Sequence, residues 1–183
     1  MNKKFVNNYN QDLNDLLNDI NVEDLKNSIK FIKRVKKKDA KVILAGNGGS
    51  AALSSHVAVD FTKAAKIRAI NFNEADLITC YANDYGYENW LFQALKSYAK
   101  KDDLVILVSS SGKSKNMINA ANFCKKQKIN LITFTGFNKN NNLRKLGKIN
   151  FWCNSKSYNK VEMTHHVWLL MIVDRRYQKE LIE

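Results

Sequence analysis

The sequence predicts a three-layer α/β fold, a doubly wound sandwich in which about five parallel strands are covered by helices on both faces. Short runs of branched apolar residues alternate with amphipathic helical segments, and the loops between them are short. The run Leu104–Val108 is apolar throughout, which is typical of a central parallel strand buried on both faces. A chain of 183 residues with this alternation is expected to form one domain, residues 1–183.

The elements can be predicted in order from the spacing of apolar residues. Between Asn7 and Val35 the helical spacing, interrupted near Asn21, predicts two helices. They form an extension over residues 1–38, which we expect to pack on the side of the domain or against a second subunit. The later segments are predicted as strand Lys41–Ala45, helix Ala51–Ala65, strand Arg68–Phe72, helix Glu74–Ala82, a turn at Asn83–Gly86, helix Glu88–Ala99, strand Leu104–Val108, helix Ser114–Gln127, strand Asn130–Thr135, a short helix ending at Leu146, strand Ile149–Cys153 and helix Asn159–Ile182.

The composition is basic, with a formal net charge of +13. The lysines are spread over predicted helix ends and loops, and no segment matches an RNA-recognition or helix-turn-helix motif. This distribution indicates a solvated surface that can steer an anionic substrate, and we expect no nucleic-acid partner. Nucleic-acid binding stays as an alternative, and it predicts an affinity for DNA that falls steeply as the salt concentration rises.

Compartment and redox state can be predicted from what the sequence lacks. No stretch approaches the roughly 20 apolar residues that span a bilayer, and the N-terminus lacks the apolar segment of a signal peptide. We therefore expect a cytoplasmic protein with no membrane contact. Cys80, Cys124 and Cys153 are widely separated, so we expect reduced, buried or half-buried thiols, with neither a disulfide framework nor a thiolate zinc site.

A cluster of hydroxyl side chains follows the central strand. Its members are Ser109, Ser110, Ser111 and Ser114. Gly112 allows close approach of the backbone to a ligand, and a helix is predicted to begin at Ser114. A helix N-terminus presents free N–H groups and partial positive charge, so this loop predicts a site for a phosphate monoester. The alternative is an ordinary serine-rich turn with one capping serine.

A second loop, Gly46–Ser50, follows the first predicted strand. Ligands of doubly wound sheets bind outside the carboxyl ends of the strands, so both loops are expected to face one pocket. The loop resembles a dinucleotide fingerprint only superficially, because the next strand ends in Asn71 and Asn73 where that fingerprint needs an acidic residue. We expect no nucleotide cofactor.

Acidic and histidine side chains form a second group of candidates on two predicted helices. His56 and Asp60 are four residues apart, and Glu162, His165 and His166 share a helix face. Carboxylates and imidazoles suit acid–base chemistry on a sugar, and Zn²⁺ accepts the same side chains. Each pattern alone is also common as a solvated or capped surface pair.

Four segments resemble the sugar isomerase (SIS) domain family and, within it, the phosphoheptose isomerases, which convert sedoheptulose 7-phosphate to a heptose 7-phosphate. The resemblance covers nearly the whole chain. The segments are Ala45–Ala52 followed by His56, Ala82–Glu88, Ser109–Ser114 and Val161–His165.

The resemblance implies roles for individual residues. The four serines would bind the phosphate, and Asp84 would contact the substrate. The sugar end would be lined by Asn47, Gly48 and Ser50. Asp60, His166 and His165 are the implied acid–base residues, and an optional Zn²⁺ would be bound by His56, Asp60, Glu162 and His166. The family assembles as tetramers, so we expect a homo-oligomer.

The chain also departs from the family pattern. Asp60 stands where the isomerases place a glutamate, Glu162 replaces a ligand glutamine, and Leu170 occupies the position of the catalytic histidine. His166 lies one turn before Leu170 and could replace that histidine. A substrate-contacting arginine maps to Ala64, and an acidic residue maps to Asn159.

The sequence thus predicts an aldose–ketose isomerase for a phosphosugar, with sedoheptulose 7-phosphate as the expected substrate and D-glycero-D-manno-heptose 7-phosphate, or a related precursor of surface polysaccharide, as the product. Because the last helix departs from the family, the alternative is a non-catalytic SIS module that binds a phosphosugar or a protein partner.

Overall fold

The computed structural model describes residues 2–182, with side chains described up to Arg175. The described residues form helices and strands in the predicted alternation. Their bounds are α1 Lys3–Asn18, α2 Val22–Lys37, β1 Val42–Gly46, α3 Gly49–Lys63, β2 Ala69–Asn71, α4 Ala75–Tyr85, α5 Trp90–Tyr98, β3 Leu104–Ser109, α6 Lys115–Lys126, β4 Asn130–Thr135, β5 Ile149–Trp152 and α7 Tyr158–Ile182.

The five strands form one parallel sheet in the order β2-β1-β3-β4-β5. This confirms the predicted fold class. The chain runs outward from β1 to β2 and then crosses to β3 on the other side of β1, so the strand order reverses between β1 and β3. Gly46 pairs with Val108, which places the carboxyl ends of these two strands side by side at the usual ligand position of such sheets.

Alternation along the strands separates two hydrophobic cores, one on each face of the sheet. Val42 and Leu44 of β1 belong to the core under α2, α3 and α7. Ile43 and Ala45 of the same strand belong to the core under α4, α5 and α6. Because successive strand side chains point to opposite faces, a strand that is apolar throughout supplies both cores.

The N-terminal helices differ in their packing. Helix α2 contributes Ile32 and Val35 to the first core, so it belongs to the helical layer and the expectation that it packs on the side is wrong. Helix α1 has no buried residue and lies against α7. There the indole Nε1 of Trp168 donates to the carbonyl of Leu17 at 3.0 Å, and Lys160 pairs with Asp12 at 2.5 Å.

Two local predictions are wrong. Residues 138–148 form successive turns in place of the short helix that was expected to end at Leu146. Asparagine side chains hydrogen-bond nearby backbone groups here, as when Asn138 Oδ1 accepts from the backbone N–H of Asn140 at 2.8 Å, and such bonds compete with helix formation. The predicted turn at 83–86 is instead the last turn of α4, which continues to Tyr85.

The cysteines and the helix lengths were also predicted from the sequence. Cys124 and Cys153 are buried and unpaired, whereas Cys80 is exposed, which corrects the expectation of a buried or half-buried thiol there. Burial raises the pKa of the Cys124 thiol to about 12. Within the described residues, no helix is both long enough and apolar enough to cross a bilayer.

Candidate active site

A cavity of about 300 Å³ opens at the carboxyl ends of β1 and β3. Its lining residues are Asn47, Gly48, Gly49, Ser50, Val108, Ser109, Ser110, Ser111, Ser114, Tyr158 and Glu162. The two predicted loops therefore face one pocket. Two wider depressions, of about 690 and 580 Å³, lie elsewhere, but this cavity alone among the three combines the strand-order reversal with the hydroxyl cluster.

The serine loop suits an anion. Ser114 precedes α6, yet its side chain makes no capping hydrogen bond and its hydroxyl instead lies 3.4 Å from that of Ser109. The buried hydroxyl of Ser110 has no hydrogen-bond partner in the described part of the chain. Because a buried hydroxyl without a partner costs free energy, it is well placed to bond a ligand oxygen. The absence of a capping bond disfavours the ordinary serine-rich turn.

Asn141 packs against this loop at Gly112 and supports it. Its side chain is 3% exposed, donates to the carbonyl of Asn138 at 2.9 Å and accepts from the backbone N–H of Arg144 at 2.9 Å. Its amide packs against Gly112, where a Cβ atom would overlap with it. The carbonyl of Gly112 in turn accepts from the N–H of Leu143 at 3.1 Å. Sequence reasoning missed Asn141, because nothing in an asparagine-rich loop identifies the one side chain that turns inward.

Asn47 projects from the other loop and is held by two partners. Its amide exchanges hydrogen bonds with the amide of Asn116, at 3.1 and 2.9 Å, and its Oδ1 accepts from the hydroxyl of Tyr87 at 3.2 Å. Neither partner was among the predicted site residues. Asn47 lines the cavity as predicted, together with Gly48 and Ser50.

Glu162 is the carboxylate of the cavity wall. It packs so closely against Gly49, the first residue of α3, that a Cβ atom there would overlap with its carboxylate. Burial raises the pKa of Glu162 above its usual range. A carboxylate with a raised pKa is a stronger base than an ordinary glutamate, which suits it to accept a proton.

His56, Asp60 and His166 form a second cluster, on the adjoining stretch of α3 and α7. His56 Nε2 lies 3.1 Å from Asp60 Oδ2, and the rings of His56 and His166 meet edge to face at 4.8 Å. Burial and the neighbouring His56 lower the pKa of His166, opposed by Asp60. None of the three lines the cavity. Ser50 and Asp60 are ten residues apart on α3, or roughly 15 Å along the axis.

The predicted zinc ligands do not converge on one point. Within the described residues, no group of three or more His, Cys, Asp and Glu side chains is arranged to hold a metal ion. Asp60 is paired with His56, while Glu162 lies against Gly49 at the N-terminus of α3. The donor set therefore does not fit Zn²⁺ in the single chain.

Two further predicted site residues lie away from the cavity. Asp84 is on the exposed side of α4, where it accepts from Asn83 Nδ2 at 3.0 Å. His165 is fully buried between Phe134 and Trp168, with Nε2 3.0 Å from the carbonyl of Thr135. Of the two histidines left open by the sequence, His166 is thus the partly exposed one and His165 is part of the core.

We expect His165 to make the fold sensitive to acid. Burial lowers its pKa from 6.5 to about 4, so the unfolded chain binds the proton more tightly than the folded one. The contribution of the neutral His165 to the free energy of unfolding is fully present above pH 6.5. It is lost as the pH falls from 6.5 toward 4, and the loss is about 3 kcal/mol. Urea unfolding at pH 7.5 and pH 5 measures it. The His165→Asn variant should show a flatter pH dependence, whereas a His56→Asn control should not; equal slopes would contradict the assignment.

Comparison with known proteins agrees with this geometry. The family model for the SIS domain matches residues 8–136. The chain is 36% identical to phosphoheptose isomerase 2 of Campylobacter jejuni over 118 residues, which are 61% of this chain and 59% of that protein. The chain spans about three fifths of the length of the first three curated relatives that it matches, which are all phosphoheptose isomerases.

Solved structures share the fold. Phosphoheptose isomerase GmhA from Neisseria gonorrhoeae superposes with a TM-score of 0.86 at 19% identity, over 95% of this chain and 98% of that one. The sugar isomerase domain of the RpiR transcription factor from Sphaerobacter thermophilus gives 0.69 at 17% identity, over 97% and 92%.

The protein thus has a doubly wound α/β fold with a hydroxyl-lined cavity where its strand order reverses. It belongs to the SIS domain family. Its curated relatives carry the name phosphoheptose isomerase.

Proposed function

We propose that the protein is a phosphosugar aldose–ketose isomerase that acts on a seven-carbon ketose phosphate such as sedoheptulose 7-phosphate. The observation that carries the proposal is a single cavity that combines four serine hydroxyls, a helix N-terminus and the carboxylate of Glu162. The names of the curated relatives support the same substrate class.

In this proposal the serine loop binds the phosphate. The hydroxyls of Ser109, Ser110, Ser111 and Ser114 and the first N–H groups of α6 supply hydrogen bonds, and the helix dipole adds partial positive charge. A phosphate gripped in this way fixes the position of the sugar chain, which converts proton transfer into a reaction between groups already held together.

Isomerisation proceeds through an enediol. A base removes a proton from C1 of the ketose while O2 takes up a proton; O1 then loses its proton and C2 gains one, giving the aldose. We assign the carbon-bound proton to Glu162, because it lies in the cavity and its pKa is raised by burial. His166, one turn after Glu162 on α7, is the proposed group for proton exchange at the oxygens, where its imidazole can donate a hydrogen bond to the developing oxyanion. Asp60 stays the alternative base for the carbon-bound proton, for a sugar that reaches the His56–Asp60–His166 cluster instead of Glu162.

The proposal includes the assembly and location expected from the sequence. Val59, Met163 and Met171 are exposed apolar side chains on α3 and α7, beside the His56–Asp60–His166 cluster. Their exposure supports a homo-oligomer in which copies of the chain cover these side chains, with a tetramer as the expected form. A cytoplasmic location is likewise part of the proposal.

The test is an assay of the purified full chain with sedoheptulose 7-phosphate, after EDTA treatment and with added Zn²⁺. We expect interconversion with the aldose in the EDTA-treated sample. Turnover only with Zn²⁺ would restore the metal expectation. Absence of turnover in both samples, with sedoheptulose 7-phosphate still binding by calorimetry, would contradict the isomerase.

That last outcome would favour the second candidate, a non-catalytic phosphosugar-binding module. Its support is the likeness to the sugar isomerase domain of a transcription factor, together with the departures Asp60, Glu162 and Leu170 on the two helices that flank the cavity. The two candidates share the phosphate site and differ only in the chemistry that follows.

A further inference from the structure

The orientation of one amide in the cavity wall depends on a tyrosine outside it. We propose that Tyr87 is a positioning residue that holds the Asn47 amide so that it presents an N–H donor, and not a carbonyl acceptor, to the sugar part of the ligand. The inference rests on the proposed function, since it concerns how the same cavity recognises its sugar phosphate.

Asn47 and Asn116 form a reciprocal pair of side-chain amides. Asn47 Nδ2 donates to Asn116 Oδ1 at 3.1 Å, and Asn116 Nδ2 donates back to Asn47 Oδ1 at 2.9 Å. Asn116 is 2% exposed, so its end of the pair is shielded from water. The reciprocal pair does not decide its own orientation, because turning both amides over together would keep both hydrogen bonds.

The hydroxyl of Tyr87 removes this ambiguity. It lies 3.2 Å from Asn47 Oδ1 and donates to it. With both amides turned over, the hydroxyl would face an NH₂ group and would have to accept, a role for which a phenol oxygen is weaker because its lone pair is shared with the ring. In the observed arrangement Asn47 Oδ1 receives two donors, and one N–H of Nδ2 is left for a ligand oxygen.

Tyr87 is itself held in place by the helix that starts at the serine loop. It precedes Glu88 and Asn89, and the side chain of Asn119 on α6 donates to the carbonyl of Glu88 and to Asn89 Oδ1, each at 3.0 Å. Asn116 belongs to the first turn of the same helix. Helix α6 thus does two things. Its N-terminus is proposed to hold the phosphate, and its side chains support Asn47 and the segment that carries Tyr87.

This arrangement predicts which part of a ligand depends on Tyr87. A fixed N–H donor recognises a hydroxyl or carbonyl oxygen of the sugar, and the serine hydroxyls recognise phosphate without it. Loss of the Tyr87 hydroxyl would leave the amide pair intact but free to adopt either orientation. Affinity for the sugar portion would then fall, while affinity for phosphate would stay.

The Tyr87→Phe variant tests this, because it removes one oxygen from an exposed side chain. Its matched control is Tyr85→Phe, a neighbouring exposed tyrosine, whereas the tyrosine hydroxyl that bonds Asn47 belongs to Tyr87. Calorimetry on the full chain measures Kd for sedoheptulose 7-phosphate and for inorganic phosphate. We expect Tyr87→Phe to weaken the sugar phosphate about threefold to tenfold, to raise KM more than it lowers kcat, and to leave phosphate unchanged. The Tyr85→Phe control should match the wild type for both ligands.

Unchanged affinity of Tyr87→Phe for sedoheptulose 7-phosphate would overturn the inference and leave the proposed function standing. Equal weakening of the sugar phosphate and of inorganic phosphate would overturn it as well, since that result means general damage to the cavity. Failure of the wild type to bind either ligand would overturn the proposed function, and this inference with it.

Discussion

The Glu162→Gln variant is expected to bind sedoheptulose 7-phosphate nearly as well as the wild type but to turn it over about 10²–10⁴ times more slowly. Glutamine keeps the size of the side chain and its packing against Gly49, and it removes the group that takes up the proton. Initial rates and calorimetric Kd values separate the two effects.

Because burial raises the pKa of Glu162, wild-type kcat/KM should decline as the pH falls through that raised pKa, and the variant should lack this limb.

Two further substitutions make this result specific. Glu74→Gln changes an exposed glutamate before α4 and should leave rates unchanged. Asp60→Asn removes the carboxylate of the second cluster. If Asp60→Asn loses turnover while Glu162→Gln retains it, the carbon-bound proton belongs to Asp60, and the assignment to Glu162 is wrong.

The Gly112→Ala variant should lose both stability and phosphate affinity. Gly112 has a φ of +61°, which an alanine adopts only with strain, and the added Cβ would lie 2.8 Å from the Cβ of Asn141 and closer still to its amide. Strain and overpacking together should cost about 2–4 kcal/mol in the free energy of unfolding. Because the added Cβ would displace the serine loop from Asn141, we expect the loop to bind inorganic phosphate at least about tenfold more weakly. Urea unfolding and calorimetry measure the two losses.

A double-mutant cycle identifies the cause. Asn141→Ala alone removes the hydrogen bonds to Asn138 and Arg144 and should destabilise the loop, but it also removes the amide that a Cβ atom on Gly112 would overlap, leaving only the 2.8 Å contact between the two Cβ atoms. Adding Gly112→Ala to that variant should therefore cost clearly less than adding it to the wild type. Equal costs in the two backgrounds would show that overlap with the Asn141 amide is not responsible.

The sheet and its serine loop were predictable because they depend on local pattern. The apolar run Leu104–Val108 identifies the central strand, and the serines that follow must lie at its carboxyl end. The rule that ligands bind where the strand order reverses then brings the Gly46–Ser50 loop to the same place. The structure places all seven of these predicted cavity residues in the cavity wall, namely Asn47, Gly48, Ser50, Ser109, Ser110, Ser111 and Ser114.

The other side chains of the site could not be predicted because their positions depend on contacts between distant segments. Tyr87 and Asn47 are forty residues apart, and Asn116 is a further twenty-nine along the chain. Similarly, His165 and His166 are adjacent in sequence, and only the packing of α7 against β4 decides that the first is buried and the second is partly exposed.

The bond between Trp168 and the carbonyl of Leu17 ties the first helix to the middle of the last one. Helix α7 begins at Tyr158 and carries Glu162 less than two turns before that tryptophan. Shortened versions of the chain that start at the first strand would leave the indole without its acceptor and α7 without its outer neighbour. The leading helix, remote from the cavity in sequence, thus braces the helix that carries Glu162.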